Sequence, residues 1–129
     1  MKNFDIEKVK KRTLVKYPFF GSIIASTELI SSTKVQTAGT DGNKIIYNPE
    51  YLSSLSKDEQ TFVFAHEICH IAFNHVGRRK NKDRRVWNMA TDAVVNAFLQ
   101  SDGLKLAPGG VDIPEALNHD AEEMYEIFL

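Results

Sequence analysis

One cysteine, Cys69, occurs in the 129 residues, so no intrachain disulfide framework can form, and a reducing compartment suits the chain. No apolar run approaches the roughly 18 to 20 residues that span a bilayer. The opening stretch, MKNFDIEKVKKRTLVKYPFF, is basic but has neither the apolar centre nor the small-residue cleavage site of a secretory leader. These absences predict a cytoplasmic protein with no membrane partner. Neither sign of charge is in excess: 16 Lys and Arg face 17 Asp and Glu, a net charge of −1. That balance predicts no nucleic-acid partner. No repeat or low-complexity segment appears. What remains is an ordinary apolar fraction of 43% in a length that suits one domain with its own core, residues 1–129.

The pattern along the chain predicts mostly helices and one hairpin. Residues 4–16 suit a basic amphipathic helix, and Pro18 suits the first turn of a second, short one. Residues 33–48, TKVQTAGTDGNKIIYN, have β-branched residues on both sides of Asp41-Gly42, a dipeptide that tolerates the positive φ of a tight turn. Asn48-Pro49 ends the second strand. Ser56-Lys57-Asp58-Glu59 fits a capping box, after which TFVFAHEICHIAFNHV is apolar nearly all round and belongs in the centre of the fold. Gly77 is the expected stop for that helix. RRKNKDRRV, with six basic residues in nine, reads as a solvated loop. A further helix then includes VWNMATDAVVNAFL, and AEEMYEIFL closes the chain as a short amphipathic helix.

HEICH, residues 66–70, matches HExxH. A helix turns about 100° per residue, so His66 and His70 share one face and can bind one metal ion without backbone distortion. Glu67 is displaced from that face but can reach a water on the metal and take its proton. Two histidines and a glutamate on an otherwise apolar helix fit poorly as mere core residues. Catalytic zinc wants three protein ligands and an open position. Asp92 is the one ionisable residue between Val86 and Leu99, and a lone carboxylate in an apolar helix needs a cation. With Asn88 and Asn96 it forms a polar stripe at i, i+4 and i+8, the asparagines suited to orienting ligands. His75 is the rival third ligand. On a straight helix to Gly77 it would sit about 140° from His70 and about 180° from His66, on the wrong side.

Other residues have simpler readings. Cys69 is a small core residue, and Phe62, Phe64, Phe73, Trp87 and Phe98 are core aromatics. Tyr47, Tyr51, His119 and Tyr125 are all candidates to stabilise an oxyanion, and the sequence does not choose among them.

Five stretches, YPFFGSII, TAGTDGNKIIYNPEYL, HEICHIAFNH with the following RR, WNMATDAVVN and AEEMYEI, resemble the zincin-like metallopeptidase domain that usually precedes a von Willebrand factor A-type domain in bacterial proteins. The resemblance covers about residues 12–129. It implies an α+β, zincin-like fold: a small mixed sheet on a central HExxH helix, with a second helix bearing a ligand. It supports His66, Glu67, His70 and Asp92 as site positions and places a histidine at His75. A MoxR-type AAA ATPase is the partner it implies, beside a peptide or protein substrate. The A-type domain is not among these residues, which contain no DxSxS motif. The expectation is therefore a zinc peptidase whose Zn2+ is held by His66, His70 and Asp92, with Glu67 as base and residues 34–40 as the edge strand that meets extended peptide. A non-catalytic, zinc-stabilised binding module is the competing reading.

Overall fold

Short polar caps set where most of the helices begin. The computed structural model describes residues 4–129; the reading of the N-terminal stretch falls partly on residues 1–3, outside them. Helix α1 (Ile6–Lys16) starts where the Asp5 carboxylate accepts from the Glu7 amide at 2.9 Å, and it buries Val9 and Thr13, one turn apart. Pro18 opens a 3-10 turn (Pro18–Phe20) that leads into α2 (Gly21–Ser26). Proline fits there because a first-turn N–H has no acceptor to lose.

Three strands follow, β1 (Glu28–Ser31), β2 (Ala38–Thr40) and β3 (Lys44–Tyr47), in the sheet order β1-β3-β2. β2 and β3 are the expected hairpin, antiparallel with Gly39 opposite Ile46. Gly42 takes φ 103° in the turn, and the Asp41 carboxylate accepts from the amides of Asn43 and Lys44. β1 lies parallel to β3, with Ile30 opposite Ile46; it was not foreseen. The edge strand is also shorter than expected, since residues 33–37 are bends and only Ala38–Thr40 is strand. The fold is thus mixed α+β with a small mixed sheet.

Helix α3 (Pro49–Ser53) is capped by Asn48, and α4 (Lys57–Ala72) by the full Ser56/Glu59 box. The expectation that α4 runs to Gly77 is overturned. It ends at Ala72, Phe73 is its cap, and Asn74 takes the left-handed conformation at φ 54°. A four-residue turn of helix, α5 (His75–Arg78), then sets off in a new direction. The physical reason is Asn74 itself: asparagine tolerates the left-handed region that other side chains avoid, so neither Gly nor Pro was needed. Gly77 serves another purpose, because a Cβ there would lie 2.6 Å from Asn74 Oδ1.

Helix α6 (Arg84–Ser101), capped by Asp83, spans the molecule and packs on two sides. Val95 and Leu99 meet Ala65, Ile68 and Cys69 of α4 in one core, along with Val9, Tyr17, Ile24 and Ile45. Trp87, Ala90, Ala93 and Ala97 meet Met124 and Tyr125 of α7 (Ala121–Phe128) in a second. Burying each of Ile68 and Leu99 contributes about 1.5 to 3 kcal/mol. Between α6 and α7 lies a 3-10 turn, Pro114–Asn118. No helix among the described residues is long and apolar enough to cross a membrane. The polar residues of α4 and α6 are left to face each other along one cleft.

Candidate metal centre

His66 and His70 sit one turn apart on α4, with ring centroids 4.5 Å apart. Their Nε2 atoms approach to 2.9 Å. Asp92 on α6 completes a triangle: its Oδ1 lies 3.1 Å from the Nε2 of each histidine. Among the described residues these three form the group of His, Cys, Asp or Glu side chains that could hold a metal ion. Asp92 therefore meets the two histidines.

The donor set, two imidazoles and a carboxylate, fits a divalent metal ion, zinc among them. A tetrahedral site with bonds of about 2.0 to 2.1 Å places neighbouring donors roughly 3.3 Å apart, close to the separations found. Two imidazole lone pairs cannot face each other at 2.9 Å unless a proton or a cation lies between them. Without metal the proton takes that place. Burial pushes His66 down, but its hydrogen bond to Asp92 and the charges of Glu67 and Asp92 prevail and raise its pKa to about 9. Burial likewise opposes ionisation of Asp92, yet hydrogen bonds from His66 and His70 hold its carboxyl below the usual range.

The outer partners differ between the two histidines. Asn96, buried one turn beyond Asp92, gives its amide nitrogen to the Val111 carbonyl at 3.0 Å and takes the Nδ1–H of His66 on its oxygen at 2.7 Å. His70 is met on its Nδ1 by the Nδ1 of His75, at 2.9 Å. The expectation that His75 faces away from the site is thus corrected. The left-handed turn at Asn74 folds α5 back, and His75 is buried behind His70 at 3% exposure. Burial first, and then the nearby His70 and Arg78, push its pKa down to about 3, so it is neutral. Its backbone is pinned too: Trp87 Nε1 donates to the His75 carbonyl at 2.7 Å, and Arg78 Nη1 to that of Phe73 at 2.8 Å. The signal for this arrangement was Asn74, three residues before the glycine expected to end the helix.

Glu67 is 7% exposed and borders the same cleft. Among the described residues its carboxylate has no hydrogen-bond or ion-pair partner. The cleft has a volume of about 760 Å³ and is bounded by α4, α6, the β2 edge and the loop of Ala107 to Val111. Asn88 borders it as well but orients neither histidine. Of the four oxyanion candidates, Tyr51 lines the cleft. The Tyr125 hydroxyl accepts from the Asp83 amide, His119 pairs with Glu123, and Tyr47 lies in β3. Cys69 is fully buried, its thiol pushed up to about 12 by desolvation, in keeping with a core role.

No solved structure matches the chain. A relative from Thermotoga maritima, described as an uncharacterized protein, is 23% identical over 115 residues, which is 84% of this chain and 29% of the relative. The chain thus spans less than a third of that curated relative. Residues 2–128 match the family described as "Putative metallopeptidase domain", and the chain belongs to that family.

Proposed function

We propose that this domain is a zinc-dependent peptidase of zincin-like build, working in the cytoplasm on a peptide or protein substrate. The observation that carries the reading is Glu67. It directly follows His66 on α4, borders the cleft, and its carboxylate has no protein partner among the described residues, which leaves its oxygens open to a water in the cleft. A structural metal site needs ligands but no base.

His66, His70 and Asp92 would hold the ion and leave a fourth position open to the cleft. When bound, zinc supplies Lewis acidity, lowering the pKa of water towards about 7 and polarising a carbonyl. Glu67 takes the proton of the attacking water and returns it to the departing amine. The β2 edge, Ala38–Thr40, offers backbone groups to an extended substrate beside the site. Tyr51 is the candidate donor to the developing oxyanion. A MoxR-type ATPase as delivering partner follows from the sequence resemblance.

Two substitutions test this together. Glu67→Gln is expected to keep about one zinc per chain and to abolish cleavage of a peptide library. Asp92→Asn is expected to weaken zinc binding severely in a chelator titration. Cleavage that survives Glu67→Gln overturns the mechanism. Zinc without any cleavage by the unaltered chain supports the binding module instead.

A further inference from the structure

Of the two outer partners in the site, the one on His70 is the less ordinary. Metal-bound histidines usually give their second N–H to a carboxylate, a carbonyl or water. His66 follows that pattern through Asn96. His70 meets another imidazole, Nδ1 to Nδ1 at 2.9 Å, with the rings 5.2 Å apart and inclined at 65°. Only one hydrogen fits in that contact. If His75 holds it, His70 must carry its own on Nε2, aimed at His66 and Asp92, where the metal would be. If His70 holds it, the Nε2 lone pair is free for the metal.

The surroundings of His75 show how its ring is held. It lies against Phe73 and the edge of Trp87, with centroids 5.6 and 6.1 Å away. Trp87 Nε1 also grips its carbonyl. His75 is not one of the converging metal donors, and it engages the side of His70 that faces away from them. It is therefore not the third ligand.

We propose that His75 is a positioning residue: its Nδ1 accepts the Nδ1–H of His70 and fixes His70 in the tautomer whose Nε2 faces the metal. This rests on the metal-site reading above, but not on peptidase activity. Its removal costs zinc affinity without removing a ligand.

The test uses the full chain and zinc alone. An asparagine oxygen can stand where the imidazole Nδ1 stood, whereas leucine fills similar space and accepts nothing. His75→Leu is expected to lose about 10 to 100-fold in zinc affinity by chelator competition. His75→Asn is expected to stay within about threefold of the unaltered chain, as the acceptor is restored. Nitrogen-15 spectra of the unaltered zinc-loaded protein are expected to show His70 protonated at Nδ1 and bound through Nε2. Equal affinities for the Leu and Asn variants, whether both high or both low, overturn the proposal. So does His70 bound through Nδ1 in the unaltered chain, a reading that needs no variant to fold. If the unaltered chain takes up no zinc, the metal site itself fails; if it binds zinc and His75→Leu binds it equally well, only the role of His75 does.

Discussion

Asn96 stands between the His66 ring and the Val111 carbonyl, and its two bonds can point in only one direction. A carbonyl accepts and does not donate, so the group facing Val111 is the amide nitrogen. The oxygen then faces His66, and the Nδ1 of His66 must carry a hydrogen. One buried amide thereby leaves the other nitrogen of a neutral His66 as a bare lone pair towards Asp92 and His70. It also ties the site to the loop after α6, since Val111 borders the cleft.

Removing the Asn96 amide should therefore act on metal binding rather than on catalysis alone. Asn96→Leu is expected to lower zinc affinity about 10 to 100-fold, the usual effect of losing a partner behind a ligand. Asn96→Asp keeps an acceptor for His66 and is expected to recover much of that loss. Chelator competition on the two variants decides it. Equal affinities would show that the amide only fills space.

The convergence of His66, His70 and Asp92 was legible because helical spacing and charge both pointed to it. A turn of helix stacks residues 66 and 70, and a lone acid in an apolar helix asks for a cation. The division within the polar stripe was not legible. Asn88 and Asn96 look alike in a sequence, but only Asn96 faces α4, whose position depends on tertiary packing. β1 was missed because four residues carry too little alternation to register and their partner, β3, is not adjacent in sequence. The end of α4 was misread because a mid-helix asparagine and a left-handed one have the same letter. That single residue moved His75 from the expected wrong side of the helix to the back of the site.

Arg78 fastens the far end of that turn to α7. Its Nε donates to Glu122 Oε2 at 3.0 Å and its Nη2 to Oε1. The guanidinium holds the Glu122 carboxyl below its ordinary 4.5, chiefly through that hydrogen bond. A carboxyl lowered on folding contributes stability above its unfolded value, and that contribution fades as pH falls through the lowered one. The side chains are 32% and 40% exposed, so solvent screening keeps the pair under about 1 kcal/mol. Glu122→Gln is expected to cost that much in urea unfolding at about pH 7 and almost nothing at about pH 3. An equal cost at both pH values would mean that the loss is packing and not charge.

The left-handed turn at Asn74, φ 54° and ψ 43°, is where local conformation and metal chemistry meet. The Asn74 amide donates to Ile71 at 3.0 Å and its carbonyl accepts from Arg78 at 3.0 Å, so the turn closes α4 and opens α5 at once. Its side chain forms no cap hydrogen bond, so what the position requires is tolerance of positive φ. Glycine meets that requirement without a Cβ, and Asn74→Gly is expected to change stability by no more than about 1 kcal/mol. Valine is β-branched and pays the left-handed penalty in full, so Asn74→Val is expected to cost about 1 to 2 kcal/mol or more. If the backbone relaxes to escape that strain, α4 runs on and His75 leaves His70. Zinc affinity should then fall along with stability in the valine variant and hold in the glycine one. Thermal unfolding and chelator competition on the same two proteins measure both effects. Valine and glycine variants of equal stability would show that Asn74 is not what stops the helix. A valine variant that loses stability but keeps full zinc affinity would show that the turn holds without it and that His75 stays in place.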